Sequence, residues 1–269
     1  MVAKLLWFYI VGPKTLNKLI MAKPKSNTLF HFTSSLEIVT KILSRGFEPR
    51  YAVEDLNWLT GGVKLAAYPM VCFCDIPLGR IENHVAAYGS YGIGMSREWA
   101  IRSRLNPVIY VSDGSLLGSR LSNLFTYVKE NAPLQEQAAL DARLEMLWTL
   151  QYIKPLEGTM MRSDGPITAE FYQESEWRYV LQDRGTRHVL FEPFDKDVML
   201  KANAVTAANP LAFTVDDIRY LFVAKDADIP PLYDFINSEM PKHWKNLGIN
   251  QAKVLCSRIV SQESLAHDL

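Results

Sequence analysis

Two segments far apart in the sequence carry side chains suited to acid–base or ligand-binding chemistry. His31 lies within the apolar segment LFHFT, and Glu176 lies within ESEWRYVL. A carboxylate among aromatic residues is costly unless it is paired or lies at the mouth of a cavity. In a partly apolar cavity it can orient a hydroxyl group or stabilise a developing positive charge. We therefore expect a site where the two segments meet.

Both residues also have an ordinary structural interpretation. A histidine on a strand more often makes a hydrogen bond in the core than it takes part in catalysis. Glu176 and Arg178 share one face of the predicted strand, because side chains two residues apart point to the same side. A salt bridge between them would account for both side chains without any chemistry.

The signatures of several well-known enzyme classes are absent from the sequence. It contains no P-loop, no HExxH zinc motif, no GxSxG nucleophile elbow and no GxGxxG nucleotide-binding pattern. Cys72 and Cys74 do not have zinc-site spacing, and the chain's three cysteines argue against a disulfide framework. We therefore expect buried cysteines, a reducing cytoplasmic location and no metal.

Charge and hydropathy narrow the choice of partners. Lys plus Arg and Asp plus Glu both number 29, so a generally basic nucleic-acid-binding surface is not indicated, although a local basic patch stays open. The apolar run from Leu5 to Val11 is too short to span a bilayer, which needs about 20 residues. We expect no membrane partner.

Residues 1–20 are interpreted as an N-terminal extension, either non-native or loosely attached, and residues 21–269 as a single α+β domain.

Short strands and helices must position the candidate residues. Residues 28–33 are predicted as a strand, followed by a helix that Ser34 or Ser35 caps and Gly46 ends. The strands and helices do not alternate as in a βαβ protein, which favours α+β. Further predicted strands are 69–73, one entered from the Gly-rich YGSYGIGMS, 107–111, 174–181, 189–191 and 220–223.

The remaining segments are predicted as helical or irregular. Residues 115–153 form a helical insertion, with one apolar stripe on each side of Pro133. Residues 50–68 and 154–170 are predicted to be irregular. The other predicted helices are 78–88, 97–104, 229–239 and 251–263.

The ordered series of motifs resembles the AbiGi family of abortive phage-resistance proteins. The series runs from about residue 28 to about residue 225: LFHFT, GFEPRY, PMVCFCDIPL, YGxYGIGMSxxW, NPVIYV and ExEWRYV. Members of this family are usually labelled as antitoxins of two-gene systems. The resemblance therefore implies anti-phage defence and a cognate toxin or antitoxin protein as partner.

A looser resemblance is to ADP-ribosyltransferases, including bacterial toxins that modify DNA. Those enzymes carry a His on an early strand, an aromatic residue on a second strand and a Glu on a late strand, which His31, Phe73 and Glu176 match. The likeness implies a split, bent mixed sheet with flanking helices, and NAD as substrate. The likeness implies that Glu176 is the catalytic residue and holds the nicotinamide ribose. His31 and Thr33 would bind a ribose, and Phe73 would stack on nicotinamide. Phe73 stands where Tyr is common, so it keeps the ring face but lacks the hydroxyl.

The same likeness suggests further cofactor-binding residues. Arg178 is a candidate for the pyrophosphate, since a guanidinium binds phosphate through two hydrogen bonds. Tyr91 is expected to line the cleft, together with Tyr88 and His84. Arg50 and Lys154 are also phosphate candidates, although a surface or structural role is the better interpretation for both. Asp75 is expected to cap the helix that follows it.

Two hypotheses of different classes follow. The first is an enzyme that uses NAD to modify a macromolecular acceptor, either nucleic acid or protein. The alternative is a non-catalytic antitoxin, or a module that binds a nucleotide or a partner. A toxic enzyme should be hard to express intact and easier to express as Glu176→Gln, whereas an antitoxin should express well and rescue cells from a neighbouring gene's product.

Overall fold

A computed structural model describes residues 26–60, 65–131, 136–162, 165–182, 189–244 and 247–267. The predicted N-terminal extension, residues 1–20, lies outside these residues. The elements follow in this order: β1 (Thr28–Thr33), α1 (Leu36–Arg45), β2 (Arg50–Asp55), α2 (Asn57–Thr60), β3 (Leu65–Cys74), α3 (Glu82–Tyr88), β4 (Tyr91–Ser96), α4 (Arg97–Arg102), β5 (Asn106–Pro107), β6 (Ile109–Val111), α5 (Leu116–Asn131), α6 (Gln137–Leu150), β7 (Ile153–Pro155), β8 (Gly158–Arg162), β9 (Gly165–Ala169), β10 (Glu176–Val180), β11 (Leu190–Phe191), α7 (Lys196–Thr206), β12 (Ile218–Val223), α8 (Ile229–Ser238), α9 (Met240–His243), α10 (Ile249–Cys256), β13 (Ile259–Ser261) and α11 (Gln262–Leu265).

Within the described residues, nine strands form one bent mixed sheet. Seven of them lie in the order β13–β12–β4–β1–β3–β10–β5, and β2 and β11 also pair with β3. The β12–β13 pair is parallel, and the other pairs in this sheet are antiparallel. The predicted α+β class, with a bent mixed sheet and flanking helices, is therefore confirmed.

The sheet opens beside β3, on the side that faces β1 and β2. β2 pairs with Leu65 to Met70, whereas β1 is paired with β3 only where Phe30 meets Cys74. Between these two stretches, Nδ1 of His31 lies 2.8 Å from the backbone oxygen of Cys72. A side-chain hydrogen bond thus joins the two strands where their backbone pairing stops.

One face of the sheet packs against helices and forms the main apolar core. Leu29 of β1 and Ile93 and Met95 of β4 are fully buried there, beside apolar residues of α1, α8 and α10. The α1 helix starts where the side chain of Ser35 accepts a hydrogen bond from a backbone N–H of the first turn. It ends at Gly46, whose φ of +93° strongly favours glycine.

On the opposite face, β4 has no side chains at Gly92 and Gly94. A Cβ atom on Gly92 would lie 2.8 Å from the backbone oxygen of His31 and 2.9 Å from the Phe32 ring. The aromatic rings of β1 and β12 pack together on this face, with the centroids of Phe30 and Phe222 5.7 Å apart. The Gly-x-Gly of YGIGMS therefore makes room for these rings.

Two segments predicted to be irregular are in fact ordered. Residues 50–68 contain β2, α2 and the start of β3, and residues 154–170 contain most of β7 and the antiparallel pair β8–β9. In β2 only Tyr51 is buried, so the segment lacks the alternation that marks a strand in the sequence. The predicted helix 251–263 is also wrong at its end, because the chain turns after Cys256 into β13.

The predicted helical insertion at 115–153 corresponds to α5 and α6. These helices pack beside the two-stranded sheet β6–β7, where Leu59, Val111, Leu150 and Ile153 form a small core. Along the described stretches of the chain, no helix is long and apolar enough to cross a membrane.

Candidate functional site

A cavity of about 600 Å³ lies beside the opening in the sheet. His31 of β1 and Glu176 at the start of β10 both line it, so the fold brings the two segments of the sequence prediction together. Three further carboxylates line the cavity. The remaining polar or ionisable lining residues, with these carboxylates included, are Tyr51, Glu54, Asp55, Cys72, Cys74, His84, Tyr88, Lys154, Thr159 and Glu174.

Both carboxylate oxygens of Glu176 are held by cations. Nε of Arg178 lies 2.6 Å from Oε1, and Nη2 lies 3.1 Å from Oε2. Nζ of Lys154 lies 3.3 Å from Oε2, and Glu176 is 5% exposed. Burial alone would raise the pKa of Glu176, but the charges of Arg178 and Lys154 outweigh it and lower the pKa to about 2. Glu176 is therefore ionised at neutral pH.

The ion pairs continue into a cluster of five side chains. Nη2 of Arg178 also lies 2.8 Å from Oε1 of Glu54, and Nζ of Lys154 lies 3.2 Å from Oε2 of Glu174. Arg178 is fully buried, and its Nη1 donates to the backbone oxygen of Gln151 at 2.8 Å. Three carboxylates against two cations leave one net negative charge in this cluster.

Aromatic side chains contact three members of this cluster. The Tyr110 hydroxyl accepts a hydrogen bond from the Glu176 backbone N–H at 2.8 Å. The Tyr88 hydroxyl donates to Oε1 of Glu174. Nζ of Lys154 lies 4.0 Å from the centre of the Phe171 ring, which is a cation–π contact.

His31 and Cys72 meet at the opening in the sheet. The Cys72 carbonyl can only accept, so Nδ1 of His31 carries the proton and Nε2 has a lone pair. Burial lowers the pKa of His31 despite this hydrogen bond, which keeps the ring neutral at pH 7. Burial, followed by the charge of Glu176, raises the pKa of the Cys72 thiol, so Cys72 is a weak nucleophile.

Phe73 lies in the apolar core. It is 2% exposed, with its ring centroid 5.0 Å from that of Phe47 and 5.4 Å from that of Trp99. Phe73 is one of the residues that line the cavity, but these neighbours cover its ring. In this structure the ring of Phe73 presents no open face on which nicotinamide could stack.

Thr33, Tyr91 and Arg178 are also separated from the main cavity. Thr33 lines a second, smaller cavity of about 370 Å³, together with His31 and Arg50. The Tyr91 hydroxyl donates to Oδ2 of Asp228 at 3.1 Å, away from both cavities. Arg178 lies behind Glu176. Of the predicted site residues, only His31, Phe73 and Glu176 therefore line the main cavity.

Among the secondary candidates, His84, Tyr88 and Lys154 do line the main cavity. Asp75 does not cap a helix: it is 3% exposed, and its Oδ1 lies 2.8 Å from Nη2 of Arg97. That salt bridge joins the end of β3 to α4 and replaces the predicted cap.

Glu54 and Glu174 were not identified from the sequence. Glu174 precedes Glu176 by two residues, so the ExE motif itself was a usable signal. Glu54 lies in β2, which was predicted to be irregular. In the part of the chain that the structure describes, His, Cys, Asp and Glu residues form no group of three or more that could hold a metal ion.

The fold and the site define a class: an α+β protein whose bent sheet carries a buried cluster of ion pairs beside a cavity. The family model "Putative abortive phage resistance protein AbiGi, antitoxin" matches residues 46–224, and the chain belongs to this family. The matched range contains every member of the ion cluster but begins after His31.

A relative with high coverage agrees with the family match. "Abortive phage resistance protein AbiGi" from Lactococcus lactis subsp. cremoris is 27% identical over 249 residues, which cover 82% of this chain and 99% of the relative. No solved structure matches the chain. The predicted family and its role in abortive infection are confirmed. The likeness to ADP-ribosyltransferases and the use of NAD stay predictions.

Proposed function

We propose that this protein is the antitoxin of a two-gene abortive-infection system and acts by binding rather than by catalysis. The state of Glu176 is the observation that carries this proposal. A carboxylate that stabilises a developing cation must present an oxygen to the substrate. Here Arg178 and Lys154 contact both oxygens, and Glu176 is buried.

The charge of the cavity supports a non-catalytic role. NAD carries a pyrophosphate, which needs cations or backbone N–H groups. The cavity instead presents Glu54, Asp55 and Glu174 beside Glu176. Arg178, the predicted pyrophosphate ligand, is fully buried.

The family description supplies the partner class. It contains the word antitoxin, which implies a cognate toxin protein as the partner of this chain. The test places the neighbouring gene and this chain under separate inducible promoters in one host. Expression of the neighbouring gene alone should stop colony formation, and joint expression should restore it.

A Glu176→Gln variant separates binding from catalysis in that assay. If the chain acts by binding, the variant should still rescue growth whenever its circular dichroism spectrum and melting curve show that it is folded. A folded variant that fails to rescue, or a wild type without any protective effect, would contradict the proposal.

One observation keeps the enzyme as a second candidate. His31 and Glu176 line the same cavity at the opening in the sheet, and Nε2 of His31 has an acceptor lone pair for a ribose hydroxyl. Incubation of the purified protein with NAD and a cell extract, followed by chromatography of nicotinamide, tests this. Release by the wild type but not by Glu176→Gln would replace the antitoxin proposal with a transferase or glycohydrolase.

A further inference from the structure

The main cavity has more negative than positive charge on its walls. Glu54, Asp55, Glu174 and Glu176 line it, whereas Lys154 is the lining cation among the described residues. Even when the buried Arg178 is included, four carboxylates face two cations. At low ionic strength, such a cavity attracts cations and repels anions.

The carboxylates also have spare capacity to accept hydrogen bonds. An ionised carboxylate offers about four acceptor positions. Glu54 uses Oε1 for Arg178, and Oδ1 of Asp55 accepts from the backbone N–H of Asn57 at 2.8 Å. Asp55 makes no ion pair with any described residue. A ligand with several N–H donors would fill these positions.

His84 provides an independent indication of a ligand. His84 is only 9% exposed and lines the cavity, and its imidazole ring makes no hydrogen bond to any described residue. Burial lowers its pKa, which favours the neutral ring with one acceptor nitrogen. Polar side chains this deeply buried are normally hydrogen-bonded. The imidazole is therefore placed to bond with a molecule inside the cavity.

Aromatic rings at the cavity suit a cation as well. Tyr88 is 41% exposed, and its ring centroid lies 5.6 Å from that of His84. Its hydroxyl is anchored to Glu174, which orients the ring. Phe171 already carries the ammonium group of Lys154. Tyr and Phe ring faces attract guanidinium and ammonium groups.

We propose that this cavity binds an organic cation rich in N–H donors, namely a guanidinium or a primary ammonium group. Asp55 and Glu54 would accept its hydrogen bonds, His84 would bond to it, and Tyr88 would cover it. A volume of about 600 Å³ lies within the range of small-molecule sites. The group can come from a free small molecule or from a basic side chain of another protein. This inference does not depend on the antitoxin role.

Isothermal titration calorimetry with three ligands tests the inference. Agmatine represents a free cation, a capped Gly-Arg-Gly peptide represents a protein side chain, and ADP-ribose represents an anionic ligand. We expect agmatine or the peptide to bind, more weakly at higher salt, and ADP-ribose not to bind. If agmatine binds more tightly, the natural ligand is a free small molecule. If the peptide binds more tightly, it is a basic side chain of another protein.

Three variants locate the binding site. Asp55→Asn and His84→Phe should each weaken cation binding about fivefold, because each removes an acceptor while nearly preserving shape. Glu130→Gln is the matched control: it removes an exposed carboxylate on α5, away from the cavity, and should leave the affinity within about twofold. Melting curves establish that each variant is folded.

Several outcomes would overturn the inference. Absence of binding by both cations would do so, as would ADP-ribose binding as tightly as agmatine. Unchanged affinity in both folded cavity variants would place the cation elsewhere on the surface. Because binding is measured without a toxin, failure here leaves the growth-rescue result unaffected, and failure of rescue leaves the calorimetry unaffected.

Discussion

The two faces of the central sheet bury different kinds of side chain. The apolar face, with Leu29, Ile93 and Met95 under helices α1, α8 and α10, buries mainly hydrocarbon. The part of the opposite face beside β10, called the charged face below, buries ions, because Glu176 and Arg178 lie there beside Lys154. Apolar burial needs only shape and volume, whereas buried ions need every partner in place. The charged face is thus the more demanding one, and its residues Glu176 and Lys154 line the cavity.

This difference sets how the two faces should respond to damage. On the apolar face a truncated side chain leaves a hole that neighbours partly fill. On the charged face a missing cation leaves a carboxylate in a poorly solvated place. The expected effects below run from the largest to the smallest.

Arg178→Ala should have the largest effect, lowering the free energy of unfolding by about 4 kcal/mol. It removes a cation that pairs with both Glu54 and Glu176, and it leaves the buried charge of Glu176 with Lys154 as its remaining described cation. Urea denaturation followed by tryptophan fluorescence measures this change. Arg102→Ala is the matched control, because Arg102 is 60% exposed in its salt bridge with Asp217 and should cost less than about 1 kcal/mol. Equal losses of unfolding free energy in both variants would mean that the ion pairs of the charged face stabilise the fold no more than an exposed salt bridge does.

Leu43→Ala should lower the free energy of unfolding by about 3 kcal/mol, somewhat less than Arg178→Ala does. Leu43 is fully buried in α1 on the apolar face. The same urea series serves as the measurement, and cation binding at the cavity should survive in the folded variant. Leu124→Ala, at a half-exposed position of α5, should change stability by less than about 0.5 kcal/mol. A Leu43 variant as stable as the Leu124 variant would contradict the packing described for the apolar face.

Acid should weaken the charged face selectively. The pKa of Glu176 is lowered to about 2 in the folded protein, below its value in the unfolded chain of about 4.3. The contribution of Glu176 is therefore complete above pH 4.3 and is lost as the pH falls towards 2. Over that interval the wild type should lose about 2 kcal/mol more than Glu176→Gln, because the variant has no proton to bind there. Parallel stability curves from pH 5 to 2 would show that the Glu176 pKa is not lowered.

Tyr110→Phe should have the smallest effect on the charged face, about 1 kcal/mol. The variant removes the hydroxyl that accepts the Glu176 backbone N–H but keeps the ring. Thermal unfolding by calorimetry detects a change of this size. Tyr233→Phe, at a half-exposed position of α8, is the control and should be neutral. A neutral Tyr110 variant would show that water replaces the hydroxyl at Glu176.

The sequence predicted the elements whose signals are local. The strand Thr28–Thr33 and the cap at Ser35 were confirmed, because β-favouring residues and an N-cap serine act within a few residues. The strand β2 was missed, because its half-exposed side chains carry little alternation and its position depends on pairing with β3. Local chemistry is visible in a sequence, whereas pairing between distant segments is not.

The candidate site divides in the same way. The Glu176–Arg178 salt bridge was foreseen as an alternative, since residues two apart on a strand share a face. The third partner, Lys154, lies 22 residues before Glu176, and no periodicity connects the two. The aromatic character of Phe73 gave no hint that Phe47 and Trp99 would cover its ring.

The position of β12 has a consequence for synthesis of the chain. β12 fills the place between β4 and β13, and α8 and α10 behind it cover Leu29 and Ile93. A ribosome makes these elements long after β1 and β4, so the growing chain carries an unpaired β4 edge and uncovered apolar side chains until Leu255 emerges. Such surfaces are binding sites for chaperones and starting points for aggregation. Yield in the cell should thus depend on how quickly residues 218–256 are translated and packed onto the sheet.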